Sequence, residues 1–453
     1  MTMPESFALK PMVMGVSLLF LSGCATFSKD GGLDDVAALT QPRTGQTVNR
    51  ASAENASATE AAVTDLLTQP LTPDSAVRIA FLNNKGLQAS LAELGVAEAD
   101  LVQAGRMRNP GFSFSRLSGG GDVEIERSVM FDIVGLLTLP MKTKIERGRF
   151  EQAKLQAASD AVRLAADTRR AYFNAVAAQQ TVTFMQQVKI SAEAGAELAQ
   201  RMATVGNFSK LDYAREQVFY ADATAQLARA QQHTVAMREQ LSRMLGLWGD
   251  KTAFKLPERL PDLPKTAKEI TDMESQAMQQ RLDVQMAKRD AEGTASALGL
   301  TKATRFINVL DAGYRNRSTT GKPRENGYAV DLQLPLFDWG SARTRRAESL
   351  YMAAVYRTAD TAVRARSEVR EAYFSYRTAY DLAKHYRDEI VPLRKKISDE
   401  VVLRYNGMLM SVFELLTDAR EQATSVNGAI EAQRDFWLAE TDLQAAVNGS
   451  SER

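Results

Sequence analysis

From Met141 to about Val205 the chain carries a helical pattern unbroken by proline, and a second long helical pattern runs from Ser341 to about Tyr405. At about 1.5 Å per residue each would be a rod of roughly 100 Å, too long for any compact domain. Each rod meets a breaker, Gly206-Asn207-Phe208-Ser209 or Asn406-Gly407, after which a helix returns, to about Leu247 in the first case and from Ser411 to about Val447 in the second. Ser209 suits the N-cap of the returning helix. The two hairpins lie about two hundred residues apart, far beyond a solenoid period, so the chain reads as two copies of one large unit.

The segments before each hairpin repeat as well. Thr72-Pro73-Asp74 starts a helix reaching about Arg106, and Asn109-Pro110-Gly111 stops it. Two strand-like runs follow, Gly111 to Leu117 and Ser128 to Leu137, the latter with Val129, Phe131, Ile133 and Leu137 on one face. Gly119-Gly120-Gly121-Asp122 between them reads as a hairpin turn; a phosphate-cradling loop would need a following helix and a lysine. After a proline-rich linker, Leu256 to Pro264, the second copy expects a helix over Ala267 to Thr301. Strands follow near Phe306 to Tyr314 and Tyr328 to Phe337, with a polar turn through Thr319, Gly321, Pro323 and Asn326. Phe131-Asp132 matches Val330-Asp331, Gly206 matches Gly407, and Ala214-Arg215-Glu216-Gln217 recurs as Ala419-Arg420-Glu421-Gln422, with four more residues between glycine and quartet in the second copy.

Strands of about nine to eleven residues match the length that crosses a bilayer at a tilt. Every backbone N–H and C=O must be paired in lipid, and the smallest bacterial barrels need about eight strands, so four strands in one chain require further chains to close a barrel. Leu332, Leu334 and Leu336 alternate with Asp331 and Gln333, as on a strand with one lipid face and one wet face. A small soluble sheet with one buried face is the alternative reading. In the second long helix Ala354, Thr358, Thr361, Ala365, Val369, Ala372, Tyr376, Ala379 and Ala383 form a narrow small-residue stripe, which a channel-less coiled-coil scaffold would also show.

Basic and acidic residues balance, 56 against 55, so nothing argues for nucleic acid as a partner. The two histidines, His233 and His385, sit in charged helical stretches and read as solvated residues. No nucleophile elbow, zinc motif or phosphate loop occurs, so no enzymatic activity and no metal centre are expected.

Near the N-terminus, Lys10 and an apolar run from Met12 to Leu21 form an export signal too short to span a bilayer. Leu21-Ser22-Gly23-Cys24 closes it with the only cysteine of the chain. The pattern is that of a lipobox, with Cys24 acylated after cleavage; an ordinary signal peptide beside an incidental cysteine is the alternative. The following stretch, Asp30 to about Ala62, reads as an extended tether.

Taken with Pro335-Leu336-Phe337-Asp338-Trp339-Gly340 leading into a long helix and the Gly206 and Gly407 tips, these features make the chain resemble the TolC family of outer-membrane efflux proteins, in its lipoprotein branch. The resemblance implies a mainly α fold with a membrane β-barrel part: a homotrimer whose α-helical barrel continues a shared twelve-stranded β-barrel, four strands per chain. The expected organisation is a signal peptide (1–23), a lipidated tether (24–65), a first repeat (66–247), an equatorial linker (248–266), a second repeat (267–447) and a tail (448–453). No cofactor is implied beyond the lipid on Cys24. The implied partners are outer-membrane lipid, a periplasmic adaptor and an inner-membrane pump of RND or ABC type. Val205, Gly206, Asn406 and Gly407 would dock the adaptor. Asp212, Glu414 and Asp418 would ring the closed end and select cations, with Arg404 and Tyr405 latching it by pairing with Asp212 or Glu414. Met408 and Met410 near the second tip suit either Cu(I) or Ag(I) in transit or apolar docking. The expected function is a passive conduit for export, against the alternative of a structural coiled-coil envelope lipoprotein.

Overall fold

The computed structural model describes residues 26–52, 55–269 and 272–449, so Cys24 and its lipobox lie outside the described residues. In chain order the N-terminal stretch holds α1 (Leu33–Thr44) and α2 (Ala56–Leu66), and the first copy comprises α3 (Pro73–Asn83), α4 (Lys85–Ala104), β1 (Gly111–Gly119), β2 (Asp122–Asp132), α5 (Ile133–Thr204) and α6 (Lys210–Leu245). The second comprises α7 (Met273–Gln280), α8 (Leu282–Ala303), β3 (Leu310–Thr319), β4 (Glu325–Leu332), α9 (Ser341–His385), α10 (Val391–Asn406) and α11 (Val412–Asn448). A turn of π-helix, Tyr386–Ile390, joins α9 to α10; Pro392 just beyond it has no N–H to give, and the wider turn accommodates it. The order helix, two strands, long helix and returning helix thus occurs twice. No helix of the described residues is long and apolar enough to cross a membrane.

Several boundaries differ from expectation, each for a local reason. The tether is not extended: α1 forms because Asp34 and Asp35 occupy its first turn, where the helix dipole favours them, and Val36, Thr40 and Thr44 bury a stripe at four-residue spacing. The strand expected to reach Leu137 stops at Asp132, whose Oδ1 accepts the Gly135 amide at 2.6 Å and turns the chain into α5. A side chain at Gly135 would run into that carboxylate, and Ile133 and Leu137 are helical. Likewise β4 ends at Leu332, since Pro335 cannot extend a ladder, leaving Leu334 and Leu336 outside the strand. The helix expected over Ala267 to Thr301 begins only at Met273 and breaks at Arg281, and the first helix of the first copy breaks at Asn84.

These two breaks do the same work. Asn84 Nδ2 donates to the Met244 carbonyl at 3.0 Å, and Asn83 Nδ2 reaches the Leu245 and Gly246 carbonyls, capping the end of α6. Arg281, 2% exposed, donates from Nη1 to the Ala446 carbonyl near the end of α11 at 2.8 Å. Its other nitrogens are held by Asp283 and Glu368. Gly246 and Gly449, both left-handed C-caps, pack against the breaks so closely that a side chain at either would collide with them.

The chain divides into two compact units. One gathers Ala92–Gln156 and Met286–Thr361 with the described residues up to Gly32. It holds a four-stranded antiparallel sheet in the order β1-β2-β3-β4. Ser28 donates from both its amide and its hydroxyl to the buried carboxylate of Glu98, each at 2.6 Å, tying the N-terminal stretch onto α4.

The other unit, Leu33–Leu91, Ala157–Gln285 and Ala362–Arg453, buries Tyr172, Phe173, Val176, Leu241, Leu245 and Leu260 in one cluster and Tyr376, Tyr380 and Phe436 in another. Phe173 stacks on Trp437 with ring centres 5.3 Å apart. Burial pushes the Tyr172 phenol up to about 12, and its hydroxyl donates to the Leu71 carbonyl at 3.0 Å. The linker crosses this core as a strap held by its own backbone: the Pro261 carbonyl accepts from Gln433 and Trp437, and the Pro264 and Lys265 carbonyls accept from Tyr380. The expected small-residue stripe of α9 is confirmed, with Ala354, Ala365, Val369, Tyr376 and Ala383 buried.

Candidate functional site

The sheet sorts its side chains by strand parity. One face carries the cross-strand rows Phe112–Val129–Tyr314–Tyr328 and Phe131–Ala312–Val330, then Leu310–Leu332, and turns polar towards the hairpin turns in the row Phe114–Arg127–Asn316–Asn326. The opposite face is charged. Arg315 pairs with Glu126 at 2.9 Å and Arg317 with Glu124 at 3.0 Å, towards the hairpin turns. At the helical end of this face Asp132, Asp311 and Asp331 stand side by side in one row, an arrangement that costs stability between neighbouring strands. Both edge strands, β1 and β4, are exposed along nearly their whole length. The two-residue turn at Gly120 and Gly121 has positive φ at both positions, as the glycines permit.

At the first hairpin tip Gly206 adopts φ +80, and the Asn207 amide donates back to the Met202 carbonyl at 2.9 Å, closing a Schellman turn. Ser209 caps α6 by accepting the Asp212 amide at 3.0 Å, and its hydroxyl donates to Asp212 Oδ2 at 2.7 Å. Arg215 holds the other oxygen of Asp212 at 3.1 Å. The second tip closes in the same way, with the Leu409 amide donating to the Arg404 carbonyl at 2.9 Å. Here the left-handed residue is Met408, φ +59, and Gly407 is not. The structural partner of Gly206 is therefore Met408. Counted from these residues, the second copy holds three extra residues before the shared quartet, not four.

Within the chain, the residues expected at the gate have the following partners. Glu414 turns back onto Ser411, accepting its amide and its hydroxyl at 2.9 Å each, while Ser411 Oγ accepts the Glu414 amide. This is a capping box, and it makes Glu414 the counterpart of Asp212 at the third position of its helix. The Ser411 amide, and then its hydroxyl, hold the Glu414 carboxyl below the ordinary carboxylate range. Asp418 is buried, so the two acids occupy different environments in the chain. Within the chain Arg404 pairs with Glu400, one turn back on its own helix, at 2.8 Å. Tyr405 contributes its carbonyl, which accepts the Met408 amide. Val205, Met408 and Leu409 are exposed at the tips, Met408 at 94%.

What links the two hairpins is a pair that the sequence reading used only for alignment. Arg420 of the second quartet donates to Glu216 of the first, and Glu216 is 1% exposed. The quartet's repetition was the available signal; two copies of Arg-Glu on facing helices permit an exchange between them. Arg394 adds a 2.5 Å pair to Glu421. Among the described residues no three His, Cys, Asp or Glu side chains converge as a metal site.

A family profile described as outer membrane efflux protein matches residues 138–247 and 274–398, more than half of the chain, and the chain belongs to that family. The family is one of efflux proteins and not of enzymes. The chain is 24% identical over 286 residues to the cobalt-zinc-cadmium resistance protein CzcC of Cupriavidus metallidurans, a match covering 59% of this chain and 64% of that relative. The fold is shared with a membrane protein from Pseudomonas aeruginosa (TM-score 0.71, 18% identity, 86% of this chain and 94% of that one). It is shared also with CusC (TM-score 0.69, 15% identity, 86% and 92%).

Proposed function

We propose that this chain is the outer-membrane channel of a tripartite efflux system, a passive conduit built from three copies. The observation that carries the reading is the sheet: one face apolar towards its helical end, one charged face and two open edges, β1 and β4. In lipid those edges must be paired, and pairing β1 of one copy with β4 of the next closes a twelve-stranded barrel. The charged face then lines water and the aromatic face meets lipid. Beyond it, the long hairpins extend the conduit through the periplasm, and their exposed tips meet an adaptor coupled to an inner-membrane pump. Acylation of Cys24 after export would add an anchor to the same membrane.

Similarity to a cobalt-zinc-cadmium resistance protein supports divalent metal cations as cargo, and the Asp132–Asp311–Asp331 row suits their passage. The first test is the detergent-corrected mass of the purified protein by light scattering, followed by conductance in planar bilayers. A mass of three chains with a steady conductance is the expected result. A stable monomer would overturn the reading in favour of a structural lipoprotein.

A further inference from the structure

We propose that the junction between sheet and long helices is a binding surface for anionic phospholipid headgroups of the leaflet facing the periplasm; the proposal rests on the channel reading above. The basic-Thr-basic motif Lys142-Thr143-Lys144 recurs as Arg343-Thr344-Arg345 in the second copy, and the structure brings both to equivalent places. Thr143 Oγ1 donates to the Ala104 carbonyl at 3.1 Å, beside the end of α4. Arg343 Nη2 donates to the Arg305 carbonyl at 3.4 Å, just past the end of α8.

Further along α5, Arg149, Arg163 and Arg170 each pair with a carboxylate three residues away. Lys142, Lys144, Arg345 and Arg346 are exposed and have no carboxylate partner among the described residues. Arg106 and Arg108, at the adjoining entry to β1, share this condition. In α9 the arginines also stand in the first turns, where the helix dipole disfavours positive charge. A local rule broken without compensation marks a functional surface. Arg345 and Arg346 project about 100° apart around the helix, so one inward direction cannot take both.

The apolar neighbourhood fits the same partner. Directly beyond the aromatic face of the sheet, Leu334, Leu336 and Trp339 are exposed, and Phe337 is 99% exposed. Phe306 meets Trp339 edge-on at 6.3 Å, and the Arg305 guanidinium lies 5.1 Å from the Phe306 ring centre. Aromatic rings with flanking cations match the boundary between acyl chains and phosphates.

The test uses the purified full-length protein in nanodiscs of phosphatidylethanolamine containing cardiolipin, with lipids retained after release counted by native mass spectrometry. Wild type should retain cardiolipin in preference to phosphatidylethanolamine. The variant Lys142→Gln, Lys144→Gln, Arg345→Gln, Arg346→Gln should lose that preference by at least about tenfold, as removal of several surface cations predicts. A variant with Arg357→Gln and Arg366→Gln, lower on α9, should keep it and controls for folding and for the loss of exposed cations elsewhere on the helix. Equal retention by wild type and the four-site variant, with the protein inserted, overturns this proposal alone. Failure of wild type to enter the bilayer at all overturns the channel reading and this proposal together.

Discussion

Arg420 reaches from the second hairpin to Glu216 in the first, donating from Nη2 to Oε1 while its guanidinium lies 4.5 Å from the Phe219 ring centre. Glu216 Oε2 and Arg420 Nε are both buried without a hydrogen-bond partner among the described residues, so the pair is desolvated more fully than it is satisfied. Removing one partner leaves a buried charge alone, whereas replacing both by apolar residues does not. Glu216→Ala should therefore weaken the hairpin pair by roughly 3 kcal/mol, and Glu216→Leu with Arg420→Met should recover most of it. Hydrogen exchange across residues 205–220 and 412–425 reads the difference locally; equal protection in wild type and Glu216→Ala would refute it.

Met408 holds a left-handed backbone that costs a side-chain-bearing residue about 1 kcal/mol or more, where its counterpart Gly206 does so freely. Met408→Gly should tighten the second tip and Gly206→Ala loosen the first, each by about 1 kcal/mol. A Cβ at Gly206 meets nothing within 4 Å, so its effect would be purely conformational. Exchange rates of the amides at 207 and 409 provide the comparison.

The capping box of α11 carries a pH dependence. Because hydrogen bonds from Ser411 lower the folded-state pKa of Glu414 below 4.5, its contribution is present above that value and disappears as pH falls through the folded one. Wild type should melt above Glu414→Gln at neutral pH, and the gap should close in acid. A gap that persists at low pH would show that the carboxylate's charge is not what matters.

Arg281 and Asn84 occupy equivalent breaks, one with a buried charge and one with a neutral amide. Arg281→Ala takes the cation from Asp283 and the donor from the Ala446 carbonyl and should cost roughly 3 kcal/mol. Asn84→Ala loses hydrogen bonds to the Met244 carbonyl and the Leu87 amide and should cost about 1 to 2 kcal/mol. Denaturant unfolding of the two variants side by side checks the ranking.

The aspartate row makes opposite demands on stability and transport. Asp311 has a like charge on either side, so Asp311→Asn should stabilise the sheet by up to about 1 kcal/mol. The same change should lower cation preference, measured as reversal potential in planar bilayers under a salt gradient. Unchanged ion preference would remove the row from the conduction path.

The duplication, both hairpins, the turn at Gly120 and the stripe of α9 were all legible in the sequence, because periodicity and breakers are local. The end of β2 was misplaced because Val129, Phe131 and Ile133 alternate smoothly while the decisive contact, Asp132 to the Gly135 amide, is a matter of side-chain geometry. Met408 in a left-handed turn was missed since a neighbouring glycine offered the expected breaker. The pairing of Arg404 with Glu400 inside one copy was not foreseen, because a partner one turn away is within reach without any other segment. Arg281 gave no sign at all: a single arginine between two helical stretches becomes a cap only once α11 is brought beside it.

If three copies share one barrel, the two open strands of the sheet also fix the order of events in the cell. A newly exported chain cannot finish its wall alone, and a bare strand edge recruits any other edge it meets. Insertion and association must then be one concerted step, steeply dependent on concentration, and a lone protomer waiting at the bilayer is as exposed to wrong pairing as to right.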